Sequence, residues 1–216
     1  ILLHLSLLLL PLGAWAQGKA DPYIKEADRH FEQMAYARAI ESYLVATDLG
    51  AVNEHVTKRL ADCYMRLGKS DQAEKWYAMV VKFLNREPRE MYNYAEALKS
   101  NGKYVEAEEW MDRYLAATDS GDGTRRSNIN GFARNFLSTP DRFIVRPVSV
   151  NTTFSDFGTA WLGSSQVVFS SARQVTTGIE RRAAWNDQPF LDLFVAEVTP
   201  NGDLVNARPL EGTVNT

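Results

Sequence analysis

The chain has 216 residues, of which 45% are hydrophobic, a net charge of −3 and one cysteine. That length admits one or two domains with ordinary cores. The weakly acidic balance leaves no basic footprint, which argues against nucleic acid as a partner, and a lone cysteine excludes a disulfide framework.

Residues 1–16 begin with an apolar run, Ile1 to Leu10, then Pro11 and the small-residue pattern Ala14-Trp15-Ala16 before Gln17. This reads as the hydrophobic core and cleavage site of a secretory signal peptide, truncated at its N-terminus because Met and a basic leader segment are missing. The run is shorter than the roughly 20 residues that span a bilayer, so no transmembrane span is expected after cleavage. The chain is therefore expected to be exported. No cysteine follows the run, so lipid modification has no acceptor there. Cys63 reads as a small buried hydrophobe on a helix.

Residues 20–121 carry a 34-residue period. Ala27, Ala61 and Ala95 recur at that spacing, as do Ala39, Ala73 and Ala107. A fixed period of this size means stacked helix-turn-helix units. Small residues belong where paired helices approach most closely. Tyr43, Tyr77 and Met111 follow the second alanine by one turn. Met34, Gly68 and Gly102 mark the turn between helices. Tyr36 and Tyr104 follow that turn, and Ser70 breaks the column. Pro22 and Pro88 are expected at the first position of their helices, where a missing N–H costs nothing. The units are 20–53, 54–87 and 88–121.

With these columns, "YMRLGKSDQAEKWYAMVV" and "YAEALKSNGKYVEAEEWMDRYL" resemble tetratricopeptide repeats. The resemblance implies a superhelical solenoid whose concave groove holds peptide or protein partners. It places Asp28, Asp62 and Glu96, one per unit, at a groove-facing position. Beside them lie Phe31, Met65 and Lys99, then Glu32, Arg66 and Ser100. Three carboxylates in line would form an acidic ladder favouring basic or mixed peptides. The alternative is a solvated helix face.

Asp119 to Gly123 reads as the turn that ends the solenoid. The stretch 122–140 reads as a capping helix and linker, because Ile129, Phe132, Ala133, Phe136 and Leu137 share one helical face. Beyond Pro140 the character changes. "RFIVRPVSV", "GTAWLG", "QVVFSSAR", "FLDLFVAEV" and "GDLVNARPL" are short β-rich runs, and Pro200-Asn201-Gly202-Asp203 is a hairpin turn. Four or five strands in residues 141–216 indicate the opening of an all-β domain, a propeller or a sandwich. Trp161, Trp185 and Phe190 are expected in a core or between blades.

"NTTFSDFGTAWLGSSQVVFSSARQ" and "WNDQPFLDLFVAEVTPNGDLVNARPL" resemble the first blade of the TolB-like, WD-type propellers of exported Bacteroidota proteins. In that family repeats lead into a propeller and often an OmpA-type peptidoglycan-binding domain, with several members near type IX secretion. The expected fold class is thus an α-helical solenoid of three repeats and a cap, followed by the start of a β-propeller. The resemblance implies a periplasmic, outer-membrane-associated place and a fragment, with peptidoglycan reached only through an unseen C-terminal domain.

No nucleophile elbow, P-loop or dinucleotide fingerprint occurs, and His30 and His55 lack the spacing of metal ligands. The expected function is a non-enzymatic interaction scaffold without cofactor or metal. The rivals are an exported propeller enzyme and a carbohydrate-uptake partner whose site lies beyond Thr216.

Overall fold

A computed structural model of the chain describes residues 12–84, 87–118, 145–174 and 181–215, with side chains from residue 18 onward. The chain divides into two units, Ile1–Thr139 and Pro140–Thr216. Most of the stretch read as capping helix and linker, 122–140, lies outside the described residues, as does the turn at Asp119 to Gly123.

The described residues of the first unit form six helices, α1 (Leu12–Glu32), α2 (Tyr36–Asp48), α3 (Glu54–Arg66), α4 (Ser70–Val80), α5 (Pro88–Ser100) and α6 (Tyr104–Ala117). They pack as three helical hairpins, with α2 against α3 and α4 against α5 joining one hairpin to the next. The three inner turns are the same structure at 34-residue intervals. Ala35, Lys69 and Lys103 each donate an N–H to the carbonyl of His30, Tyr64 and Leu98, at 2.8, 2.9 and 2.9 Å. The preceding residue has positive φ each time: 58° at Met34, 69° at Gly68 and 75° at Gly102. This is the closure that leaves a left-handed residue past a helix C-terminus, and two of the three units supply the glycine it favours.

The alanine columns are buried. Ala27, Ala39, Ala61 and Ala73 have no exposed surface. They sit under Tyr43 and Leu60 in one cluster and Tyr77 and Val80 in the next. Replacing Ala73 with Leu is expected to lower the stability of the helical unit by about 1–3 kcal/mol through overpacking. Chemical denaturation followed by helical circular dichroism reads the effect, and an unchanged midpoint would contradict the close contact.

Helix starts follow local chemistry. The Asn53 side chain accepts the Val56 N–H at 3.0 Å, capping α3. Pro88 occupies the first turn of α5, and Glu87 and Glu90 form a reciprocal capping box there. Pro22 departs from expectation. It lies inside α1, which begins at Leu12 rather than at the proline. Repeats two and three are also tied by polar groups. Asn101 exchanges hydrogen bonds with Ser70 and donates to Glu74 at 2.7 Å, and Lys103 pairs with Glu74 at 2.7 Å. Burial opposes ionisation of Glu74, but these donors hold its carboxyl below the usual range.

The second unit is an antiparallel meander of β1 (Asp156–Leu162), β2 (Gln166–Ser171), β3 (Asp192–Val198) and β4 (Leu204–Pro209), in that order across the sheet. Val167, Phe169, Phe194 and Ala196 form its buried face, with Phe169 paired to Phe194 and Val167 to Ala196 across the strands. Gly158, at φ 72°, sits where the β1–β2 register shifts between Phe157 and Ala160, a bulge. Thr199 and Asp203 close the β3–β4 turn around Gly202. Within "RFIVRPVSV", the described residues 145–150 form no strand.

Of the two places expected for Trp161, Trp185 and Phe190, a core or a seam between blades, the core of this sheet is not where they lie. Trp161, Trp185 and Phe190 are 67%, 43% and 60% exposed. Trp161 lies on β1, which among the described residues pairs with one strand, β2.

Arg173, just past β2, is the polar centre of this sheet. Its guanidinium donates to Ser171 Oγ at 2.7 Å, the Val150 carbonyl at 2.8 Å and Asp156 Oδ1 at 2.9 Å. It also lies 5.1 and 4.9 Å from the ring centres of Phe169 and Phe194.

Candidate partner-binding face

The first helix of each hairpin contributes to one row of side chains. Contacts of α1 with α3, and of α3 with α5, connect the row. Asp28 on α1 accepts from the Tyr43 hydroxyl of α2 and lies 2.7 Å from His55 Nε2 of α3. Asp62 on α3 accepts from the Tyr77 hydroxyl of α4 at 2.6 Å. Carboxylate and tyrosine are 15 residues apart in both pairs, so the second unit reproduces the first. In the third unit Met111 replaces the tyrosine, and Glu96 pairs instead with Lys99, one turn along its own helix.

Burial sets the electrostatics of these pairs. It pushes the Asp62 carboxyl up from its ordinary value, against the Tyr77 hydrogen bond and the attraction of Lys58, Arg59 and Arg66. Burial and the adjacent carboxylates drive the Tyr43 and Tyr77 hydroxyls far above the usual tyrosine range. Burial also pushes the Cys63 thiol up to about 12, which leaves it an inert core group.

The other expected residues fall on or beside the row. Phe31 lies beneath the Arg59 guanidinium, 4.0 Å from the ring centre. Arg66 lies 5.3 Å from the ring centre of Tyr36, which itself meets Phe31 edge to face at 5.4 Å. Met65 is partly buried against the second core cluster. Lys99 is half exposed beside Glu96.

Asp28, Asp62 and Glu96 thus stand at equivalent places on the first helices of the three hairpins, and each carboxylate is engaged by an internal donor. Tyr43, Tyr77, His55 and Arg59 had no assigned role. The signal for the tyrosines was present, because their column stands at a fixed 15-residue offset from the Asp column. A tyrosine and an aspartate repeating in step are a hydrogen-bond pair in a stacked array.

Next to the row, a cleft of about 490 Å³ opens between the N-terminal ends of α3 and α5. Asn53, Glu54, His55, Lys58, Glu87 and Glu90 line it. Glu90 is 1% exposed and accepts from Lys58 Nζ at 2.9 Å and from the Glu87 N–H at 3.0 Å. Among the described residues no group of three or more His, Cys, Asp or Glu side chains could hold a metal ion, and no helix is long and apolar enough to cross a membrane.

Changing Tyr77 to Phe removes the hydroxyl and leaves the Asp62 acceptor in its half-buried place. The expected loss is about 1–3 kcal/mol in unfolding free energy, the cost of an orphaned polar partner. Asp62→Asn, which keeps an acceptor for Tyr77, is expected to cost less. Equal losses for the two variants, or none, would show that the pair contributes nothing.

No protein-family model and no curated protein matches this chain. Solved structures similar to it are tetratricopeptide domains. The first such domain of Spaghetti (RPAP3), bound to the HSP90 peptide SRMEEVD, is 21% identical, with a TM-score of 0.45 over 57% of this chain and 96% of that one. The C-terminal domain of a Plasmodium falciparum FK506-binding protein is 17% identical, with a TM-score of 0.45 over 56% and 90%. The Sgt2 domain of Aspergillus fumigatus is 14% identical, with a TM-score of 0.43 over 61% and 92%. What makes the helical unit a tetratricopeptide-type solenoid is its own geometry, the 34-residue recurrence of its turns and helix starts.

Proposed function

We propose that this chain is a non-enzymatic interaction scaffold whose repeats hold an extended, mixed-charge segment of a partner protein along the row formed by α1, α3 and α5. The contact residues are Asp28, Asp62, Glu96, Phe31, Met65, Arg66 and Lys99. One observation carries the reading: the row is pinned from within. Tyr43 and Tyr77 fix two carboxylates, and Phe31 and Tyr36 carry two guanidiniums. Side chains ordered before binding lose little entropy on binding, which is what a recognition surface requires.

The proposed setting is the bacterial periplasm at the outer membrane, supported by the leader-like run at residues 1–16. The four-stranded meander with its Ser171–Arg173 link supports the reading of residues 141–216 as a first propeller blade. A tie to peptidoglycan through an OmpA-type domain, and to a secretion machine, belongs to the same proposal and rests on the sequence resemblance.

The test uses a photo-crosslinking residue placed at Lys99 on the row or at Lys75 on α4. Both positions are exposed, so neither substitution disturbs the core. Crosslinks from position 99 to a defined extended segment of a partner, absent from position 75, are expected. The same crosslinks from both positions would remove the assignment to this face.

A further inference from the structure

Helix α3 places His55, Arg59, Asp62 and Arg66 along one stripe, at intervals of four, three and four residues. Three of the negative charges on and beside it already hold donors. Asp28 has Tyr43 and His55, Asp62 has Tyr77, and Glu90 has Lys58. The two arginines differ. Each guanidinium lies over an aromatic ring, Arg59 on Phe31 and Arg66 on Tyr36, and those two rings touch each other. Among the described residues neither guanidinium meets a carboxylate within ion-pair distance. A guanidinium resting on a ring gives up little of its hydrogen-bonding capacity, because its N–H donors form a planar fork suited to a carboxylate. The aromatic face also limits its motion and adds a cation–π attraction.

We propose that Arg59 and Arg66 receive two carboxylates of an acidic peptide segment lying along α1 and α3. This rests on the reading of the row as a peptide-binding face, and it gives the bound segment a sign opposite to the one the bare Asp and Glu column suggests. The two arginines are seven residues apart, about 10 Å along the helix. An extended peptide advances about 3.3 Å per residue, so acidic side chains two to four residues apart match that span.

The experiment pans a random dodecapeptide display library against the full chain and against Arg59→Gln/Arg66→Gln. Selected peptides are then titrated at low and high salt. Enrichment of Asp or Glu pairs two to four residues apart is expected on the wild-type chain. Their affinity should fall about tenfold or more in the double variant, the loss of charged hydrogen bonds, with a flatter salt dependence. Arg59→Lys/Arg66→Lys should recover only part of it, since an ammonium lacks the fork. If the double variant melts early, Arg66→Gln alone is read, because Arg66 is the more exposed of the two. Selection of basic or uncharged peptides, or acidic peptides that bind the Gln variants equally, would overturn this inference and leave the face assignment standing. A wild-type chain that selects no sequence at all would overturn both.

Discussion

Replacing Lys58 with Ala is expected to destabilise the helical unit by about 3 kcal/mol, the largest single effect in the repeats. The reason lies in its partner. Glu90 is 1% exposed, and its carboxylate has two supports, Lys58 Nζ at 2.9 Å and the Glu87 N–H at 3.0 Å. Removing the ammonium leaves a buried charge with one neutral donor. The pair itself need not contribute net stability, because desolvation offsets much of the attraction. The double change Lys58→Met/Glu90→Gln, which removes both charges and keeps an acceptor for the Glu87 N–H, should therefore recover most of the loss. Burial opposes the charge on Lys58, but the Glu90 hydrogen bond and charge outweigh it and raise the ammonium above its ordinary value. A raised lysine contributes stability that is complete below its unfolded value of 10.5 and fades as pH rises through the folded value. Wild type should lose this increment in strong alkali, while Lys58→Ala lacks it throughout. Denaturant midpoints for wild type, Lys58→Ala and the double variant measure the loss and its recovery. Equal midpoints for wild type and Lys58→Ala would remove the claim.

Replacing Arg173 with Ala should have a comparable effect on the sheet, about 3 kcal/mol or more. The guanidinium is 17% exposed and joins the segment before β1, the start of β1, the end of β2 and the two core phenylalanines. Its loss also takes the paired cation from Asp156, whose side chain is 10% exposed and keeps the neutral donors of Thr152 and Ser171. Burial disfavours that carboxylate, yet hydrogen bonds from Ser171, Arg173 and Thr152 hold its pKa at about 2. A depressed carboxyl contributes stability above its unfolded value of 3.8 and loses it as pH falls toward 2. The contribution is about 2 kcal/mol from the size of the depression. The sheet's amide I band should therefore show an acid transition in this window that is blunted in Arg173→Ala. Arg173→Lys should not restore stability, since one ammonium cannot reach three acceptors and cover two rings. A lysine variant as stable as wild type would refute the role given to the fork.

Some of this was legible in the sequence and some was not, for identifiable reasons. A period shows itself wherever successive units must solve the same packing problem. The 34-residue turns and the buried alanines were therefore readable before any coordinate, whereas the alternation in β2, where Val167, Phe169 and Ser171 face inward, was not, because Val168 is as apolar as its neighbours and Ser171 is polar. The sequence columns placed Asp28 and Asp62 at equivalent positions of successive units. They were silent on which donors reach them, because a hydrogen bond between two columns depends on how the second helix leans on the first. Pro22 misled because a proline marks a helix start only when nothing extends the helix backward, and α1 reaches back to Leu12. Trp161 was expected in a core or between blades, and its place on an outer strand keeps it out of the core of this sheet. Lys58 and Glu90 come from different repeats and break the column pattern, so no periodicity marks them.

The tyrosine–carboxylate pairs bear on how the array could be lengthened. Repeat two carries its own donor for its own carboxylate, so a duplicated copy would bring a satisfied polar pair with it. Repeat three would not, for Met111 has no hydroxyl and Glu96 relies on a half-exposed lysine. A designer grafting extra units into this solenoid can copy repeat one or two with its polar pair intact, whereas a copy of repeat three would leave its carboxylate to a surface lysine.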